Sequence, residues 1–159
     1  MPLYTIRKQQ FLKADMGRVW DFMSSPLNLT KITPAKLGFE IISEPVDIER
    51  MHAGQIIEYR ISPLWDIKLH WVTEITHVEP MRFFVDEQRF GPYRFWHHQH
   101  HFREVNGGVE MNDLVHYDLP FGPLGAVAHK IHVRKTLEEI FNYRYQKLEQ
   151  LFNHASLKQ

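Results

Sequence analysis

Residues 93–118 read Tyr93-Arg94-Phe95-Trp96-His97-His98-Gln99-His100-His101-Phe102-Arg103-Glu104-Val105-Asn106-Gly107-Gly108-Val109-Glu110-Met111-Asn112-Asp113-Leu114-Val115-His116-Tyr117-Asp118. Aromatic and β-branched residues flank Asn106-Gly107-Gly108, whose Asn and Gly tolerate positive φ, so the stretch predicts strands over Tyr93–Glu104 and Val109–Asp118 joined by a tight turn. Side chains alternate along a strand. Trp96, His98, His100 and Phe102 therefore share one face, and Phe95, His97, Gln99 and His101 the other. On the second strand, Val109, Met111, Asp113, Val115 and Tyr117 line a single side.

Upstream of this hairpin the same alternation continues, interrupted by Glu79-Pro80 and Gly91-Pro92, and it predicts strands over Phe39–Ser43, Gln55–Ser62, Ile67–Val78 and Arg82–Arg89. Ile57, Tyr59 and Ile61 form one apolar side, and Ile67, Leu69, Trp71, Thr73 and Ile75 form the next. Phase is less decided in the two middle strands, where Phe83/Val85 competes with Phe84/Asp86/Gln88 and Tyr93/Phe95 with Trp96/Phe102. The set containing Asp86, Gln88, Trp96, His98 and His100 is preferred because its polar members can satisfy one another.

At the N-terminal end, Tyr4–Leu12 reads as a first strand and Asp15 as the cap of a short helix whose apolar face is Val19, Trp20, Phe22 and Met23, ended by Ser24-Ser25-Pro26. Leu27–Pro34 suggests another turn or two of helix. Beyond Leu119-Pro120-Phe121-Gly122-Pro123-Leu124-Gly125 the period changes to that of a helix: Val133, Leu137, Ile140, Phe141, Arg144, Leu148, Leu151 and Phe152 fall on one stripe. Neither an antiparallel meander nor an amphipathic helix can bury its apolar side alone, so the helix is expected across the concave face of the sheet.

The 159 residues suit a single domain, 1–159, and a 43% hydrophobic composition supplies a sizeable core. Nineteen basic and nineteen acidic residues cancel, which argues against the positive field of a nucleic-acid binder. The absence of cysteine removes disulfides, thiolate metal sites and cysteine nucleophiles. No signal-peptide pattern opens the chain and no run approaches the ~18 apolar residues of a membrane span. A cytoplasmic protein without integral membrane association is expected; oligomeric state is not legible.

The order of strand, two short helices, meander and long final helix resembles the helix-grip fold of the START and birch-pollen-allergen superfamily (SRPBCC), an α+β class in which a curved antiparallel sheet wraps a C-terminal helix. A closer resemblance, to a bacterial ligand-binding branch grouped beside polyketide cyclases and cell-division-inhibitor-like proteins, is carried by Tyr59, Trp71, Thr73, Ile75, Phe84, Asp86, Gln88, Gly91, Pro92, Trp96, His98, His100 and Phe102. It continues through Gly108, Met111, Asp113, Val115, Tyr117, Pro120, Gly122 and Leu124 to Phe141 and Arg144. The resemblance implies a cavity between sheet and helix for an apolar or amphipathic ligand. Because the superfamily includes carriers, receptors, cyclases and hydratases, it implies no particular chemistry.

The candidate ligand-binding residues are Tyr59, Trp71, Thr73, Asp86, Gln88, Trp96, His98, His100, Asp113, Tyr117 and Phe141. Within an apolar wall a His–Asp pair orients a polar ligand group, acts as general acid/base, or simply satisfies itself. His98, His100 and Asp113 are the catalytic candidates, of a cyclase, dehydratase or hydrolase type, but binding is preferred to catalysis. Two imidazoles with Asp86 or Asp113 match a metal-ligand set in type, yet no recognised metal motif frames them, and neither metal nor cofactor is expected. A third reading is an interaction module with a filled core. His97 and His101 are expected outside, as solvent-facing residues or at a subunit contact. Around the start of the last helix, His129, Lys130, His132, Arg134 and Lys135 form either a solvated basic face or a portal for an anionic ligand. Phe121 and Leu124 are expected to close the pocket mouth, as a flexible lip or as a rigid connection.

Overall fold

The computed structural model describes residues 3–44, 50–62 and 68–154, with the side chains of residues 128–130 also left aside. Seven strands form one antiparallel sheet: β1 (Tyr4–Leu12), β2 (Glu40–Ile41), β3 (Gln55–Ile61), β4 (Leu69–Glu79), β5 (Phe83–Phe90), β6 (Phe95–Val105) and β7 (Gly108–Asp118), in spatial order β1-β7-β6-β5-β4-β3-β2. Each of β3 to β7 pairs with its sequence neighbour, as short hairpin connections require. β1 then closes onto β7, with Tyr4 opposite Tyr117 and Leu12 opposite Val109. Expected strand ends shift by one or two residues. The segment expected over Phe39–Ser43 reduces to a two-residue strand, and Ile67, placed at the start of β4 and on its inner side, lies outside the described residues.

The hairpin at residues 106–107 behaves as its composition demands, although Gly107 (φ 84°) alone enters the left-handed region while Asn106 does not. It sets the register of β6 against β7, placing His100 opposite Asp113 and Trp96 opposite Tyr117. β5 pairs with Asp86 opposite His98 and Phe84 opposite His100. These pairings settle the phase of the middle strands: Phe84, Trp96, His98, His100 and Phe102 are buried on the concave side.

Asp15 accepts a hydrogen bond from the Arg18 backbone N–H at 2.9 Å and starts α1 (Met16–Met23), which buries Val19, Trp20 and Met23. Two 3₁₀ turns follow, Pro26–Ile32 and Ala35–Leu37. The final helix starts earlier than the stripe alone suggests. After the left-handed pair Phe121 (φ 69°) and Gly122 (φ 49°), α2 (Gly122–Ala128) passes through a π turn at His129–Val133 into α3 (Arg134–Leu148), and a second π turn runs over Glu149–Asn153. Gly125 permits the tight start, since a Cβ there would stand 2.1 Å from the Pro120 carbonyl oxygen.

Leu137, Phe141, Arg144, Leu148 and Phe152 are buried against the sheet, as the stripe predicts, but Leu151 is exposed. The wider winding of the last π turn advances each residue less than an α-helix does. Three steps from Leu148 therefore carry Leu151 off the buried face while four bring Phe152 onto it. β1 holds this end of the helix: Gln10 Nε2 donates to the Tyr145 carbonyl (2.9 Å) and to Glu149 Oε1 (3.1 Å), and Asn153 Nδ2 donates to the Phe11 carbonyl (2.9 Å).

Candidate functional site

Three apolar clusters surround the interior without filling it. Trp20, Phe84, Phe102, Leu148 and Phe152 belong to one end, Trp96, Val115, Tyr117, Leu137 and Phe141 to another, and Ile57, Tyr59 and Ile75 to the far strands. Between them lies a cavity of about 400 Å³, inside the range of roughly 300–1,000 Å³ typical of small-molecule sites. Its walls come from the concave side of the sheet, the 3₁₀ turns after α1, and the inner face of the last helix. The wall is overwhelmingly apolar. Asp86 and Arg144 are the only Asp, Glu, Lys or Arg side chains among the described residues that border it.

Eight of the eleven expected ligand-binding residues border the cavity: Tyr59, Trp71, Thr73, Asp86, Trp96, His98, His100 and Phe141. Three do not. Gln88 Nε2 donates to the Tyr93 carbonyl (2.6 Å) and its Oε1 accepts from the Tyr93 N–H (3.2 Å), so it spans the Gly91-Pro92 turn instead of facing a ligand. Tyr117 packs among Tyr4, Tyr93 and Trp96 with ring centroids 5.5–6.1 Å away; burial pushes its phenol up to about 12. Asp113 sits one strand beyond the wall on β7, 4% exposed, beneath the two histidines.

The polar part of the wall is a four-residue network across three strands. His98 Nε2 lies 3.0 Å from Asp113 Oδ1, and His98 Nδ1 lies 3.5 Å from Asp86 Oδ2. His100 Nε2 bonds Asp86 Oδ2 at 2.8 Å. His100 Nδ1 is also 3.0 Å from Asp113 Oδ1 but is misaligned for a hydrogen bond, leaving an electrostatic contact. The imidazoles are 3.7 Å apart at their centroids, and His100 stacks on Phe84 at 4.0 Å. Burial and the neighbouring His100 push the pKa of His98 down, with the two carboxylates offsetting this only in part. Burial also opposes the charge on His100, yet Asp113 and Asp86 together outweigh it and hold that imidazole above its ordinary value. Burial alone would raise both carboxyls; the histidines, joined at Asp86 by Arg144, bring Asp86 below the usual range and Asp113 well below it. The network therefore takes up its first proton at His100 rather than at His98.

Asp86, His98 and His100 each offer one donor atom within 4.8 Å of the others, a two-histidine, one-carboxylate set of a kind that holds divalent metals. Asp86 Oδ2 is already engaged by His100, and the positive charge of Arg144 acts on the same carboxylate. Both features oppose a second cation at that point.

Arg144 is not among the expected site residues. It occupies the stripe between Phe141 and Leu148, is 9% exposed, and borders the cavity. Its Nε and Nη1 are buried without a hydrogen-bond partner among the described residues, and its Cζ lies 5.2 Å from the Phe141 ring centroid. An arginine in the apolar phase of a helix is the sequence signal that exposes it.

On the outside, His97 is half-buried 3.8 Å from Glu87, and His101 is exposed beside Gln99. At the helix start, Arg134 pairs with Glu138 at 3.0 Å, while His132 borders the cavity. Phe121 reaches the cavity rim although 80% exposed, whereas Leu124 is 76% exposed and does not border it, so only one of the two expected lip residues stands at the mouth. The side chains of His129 and Lys130 lie outside those described.

No helix among the described residues is long and apolar enough to cross a membrane. No family model matches the chain, and no curated protein matches it. Solved structures do. TTHA0849 from Thermus thermophilus superposes with a TM-score of 0.72 at 17% identity, covering 96% of this chain and 99% of that one. Major latex-like protein 151 from Panax ginseng gives 0.66 at 10% identity, with 94% and 97% covered. Ara h 8.0201 gives 0.63 at 11%, with 92% and 98% covered. Together with the seven-stranded curved sheet and its long C-terminal helix, these similarities show that the chain has the helix-grip fold of the birch-pollen-allergen-like, SRPBCC proteins.

Proposed function

We propose that this protein binds a small hydrophobic or amphipathic molecule between the sheet and the C-terminal helix. The observation that carries this reading is the cavity of about 400 Å³ whose wall is mostly apolar, with charged groups among the described residues only around Asp86, the histidine pair and Arg144. Apolar burial at about 25 cal/mol per Å² drives entry, while the polar region orients the ligand. Trp71 and Trp96, edge to face at 5.4 Å, supply rigid aromatic wall. The same cavity argues against an interaction module with a filled core. Kinship with the bacterial branch beside polyketide cyclases, and a cytoplasmic setting, belong to this proposal.

The test is native mass spectrometry, with solvent extraction, of protein freshly purified from cells. A co-purifying apolar molecule displaced by added ligand is the expected result. Protein that carries none, and whose Trp fluorescence responds to no apolar probe, sinks the reading.

A second reading, acid/base catalysis, is favoured by the buried His98–Asp113 and His100–Asp86 contacts at 3.0 and 2.8 Å. A general base needs a nitrogen free to meet the substrate proton, whereas the ring nitrogens here face carboxylates. Turnover of a candidate substrate that survives in both His98→Ala and His100→Ala removes the pair from any mechanism.

A further inference from the structure

The buried cation on α3 forms no ion pair within 4.0 Å among the described residues, although its charge acts on Asp86 and it lies over the Phe141 ring. Asp86 and Asp113 contact His98 and His100, the four groups forming a closed network. Arg144 stands outside it: among the described residues no carboxylate lies within 4.0 Å, two of its nitrogens are orphaned, and nine-tenths of its surface is buried at the cavity edge. Buried guanidinium nitrogens left without hydrogen-bond partners are costly. The guanidinium fork matches a carboxylate with two parallel hydrogen bonds. Tyr59 borders the same cavity, near enough for the charges of Asp86 and Arg144 to act on its phenol, which burial keeps protonated as a donor.

We propose that the ligand is an amphipathic monocarboxylate whose acid group pairs with Arg144 while its apolar body fills the cavity. This rests on the binding reading above and names its ligand class. A carboxylate brings two acceptors to the unpartnered guanidinium nitrogens with a single negative charge. A dianionic phosphate would place twice that charge beside Asp86, and a neutral ester or alcohol would offer no charge-assisted hydrogen bond.

The experiment titrates the protein at pH 8 with cis-parinaric acid, a fluorescent long-chain acid, and separately with its methyl ester. Wild type, Arg144→Met and Arg144→Lys are compared, with near-ultraviolet circular dichroism confirming the fold of each. Wild type is expected to bind the acid about tenfold or more tighter than the ester. In Arg144→Met the preference disappears through loss of acid affinity, with ester affinity held, and Arg144→Lys falls between. Equal binding of acid and ester by wild type, or an acid preference that survives in Arg144→Met, overturns the monocarboxylate proposal while leaving the binding function standing. Failure of wild type to bind either compound overturns both. If Arg144→Met does not fold, the wild-type ratio and Arg144→Lys still decide.

Discussion

Replacing Asp113 by Asn removes one of the two carboxylates flanking His100 and keeps the shape of the side chain. Asp113 Oδ1 is 3.0 Å from both His98 Nε2 and His100 Nδ1, with 3% of the side chain exposed. Asn still presents an acceptor to His98, so what is lost is charge. A charge-assisted contact contributes about 1.5–3 kcal/mol; because Asp86 still holds His100 at 2.8 Å, about 2 kcal/mol is the expected loss at pH 6. For a chain of this size that lowers Tm by about 4–8 °C. The sign with pH follows from the shifts. The pKa of His100 is raised in the folded protein, so its contribution is fully present below the unfolded value of about 6.5 and is lost as pH rises through the folded one. The carboxyl of Asp113 is depressed, so its contribution is present above about 3.9 and is lost as pH falls through the lower folded value. His98, with its pKa lowered, works in the opposite sense to His100 in both proteins. The difference between wild type and Asp113→Asn should therefore peak near pH 6 and shrink toward both pH 9 and pH 2. Urea unfolding followed by Trp fluorescence across that range measures it. An equal loss at pH 6 and pH 9, or no loss at pH 6, refutes a stabilising charge contact between Asp113 and His100.

Arg144→Met in the ligand-free protein removes two buried nitrogens that lack hydrogen-bond partners and should raise unfolding free energy by about 1–3 kcal/mol; a less stable variant in urea would mean that the Arg144 charge, acting on Asp86, holds the fold together. Leu148→Ala, at a position with no exposed surface, should cost about 2–5 kcal/mol, and a loss below about 1 kcal/mol by the same assay would contradict the packing of α3 on β1 and β7. Gln88→Ala should lower stability by about 1–2 kcal/mol through its two bonds to Tyr93 without changing probe affinity. A selective loss of affinity in titrations would return Gln88 to the cavity wall.

Much of the site is legible along the chain because strand alternation is local. His98 and His100 separate from His97 and His101 by parity alone, and Tyr59, Trp71, Thr73 and Trp96 follow from the same count. Parity names a side of the sheet but not what stands in front of it. Gln88 has the inward phase and still misses the cavity, since the turn after β5 brings Tyr93 back within its reach. Asp113 and Tyr117 have the phase too, but β7 lies toward β1, where the helix and neighbouring rings cover them. Leu151 fails for a local reason that periodicity cannot foresee, a π turn that changes the phase it assumes.

By itself the sequence determined the order of the meander strands through hairpins, the capped α1, the helical stripe and the inward histidine pair, because each depends on spacing within a few residues, whereas the closure of β1 onto β7 does not. Tertiary structure alone decided that Asp86 and Asp113 flank the same two imidazoles, that three apolar clusters leave a cavity, and that Arg144 borders it with two nitrogens lacking a hydrogen-bond partner among the described residues. Those properties depend on which distant segments meet. The setting of a buried charge is defined by everything around it, and its surroundings here come from β3, β5, β6 and α3 at once.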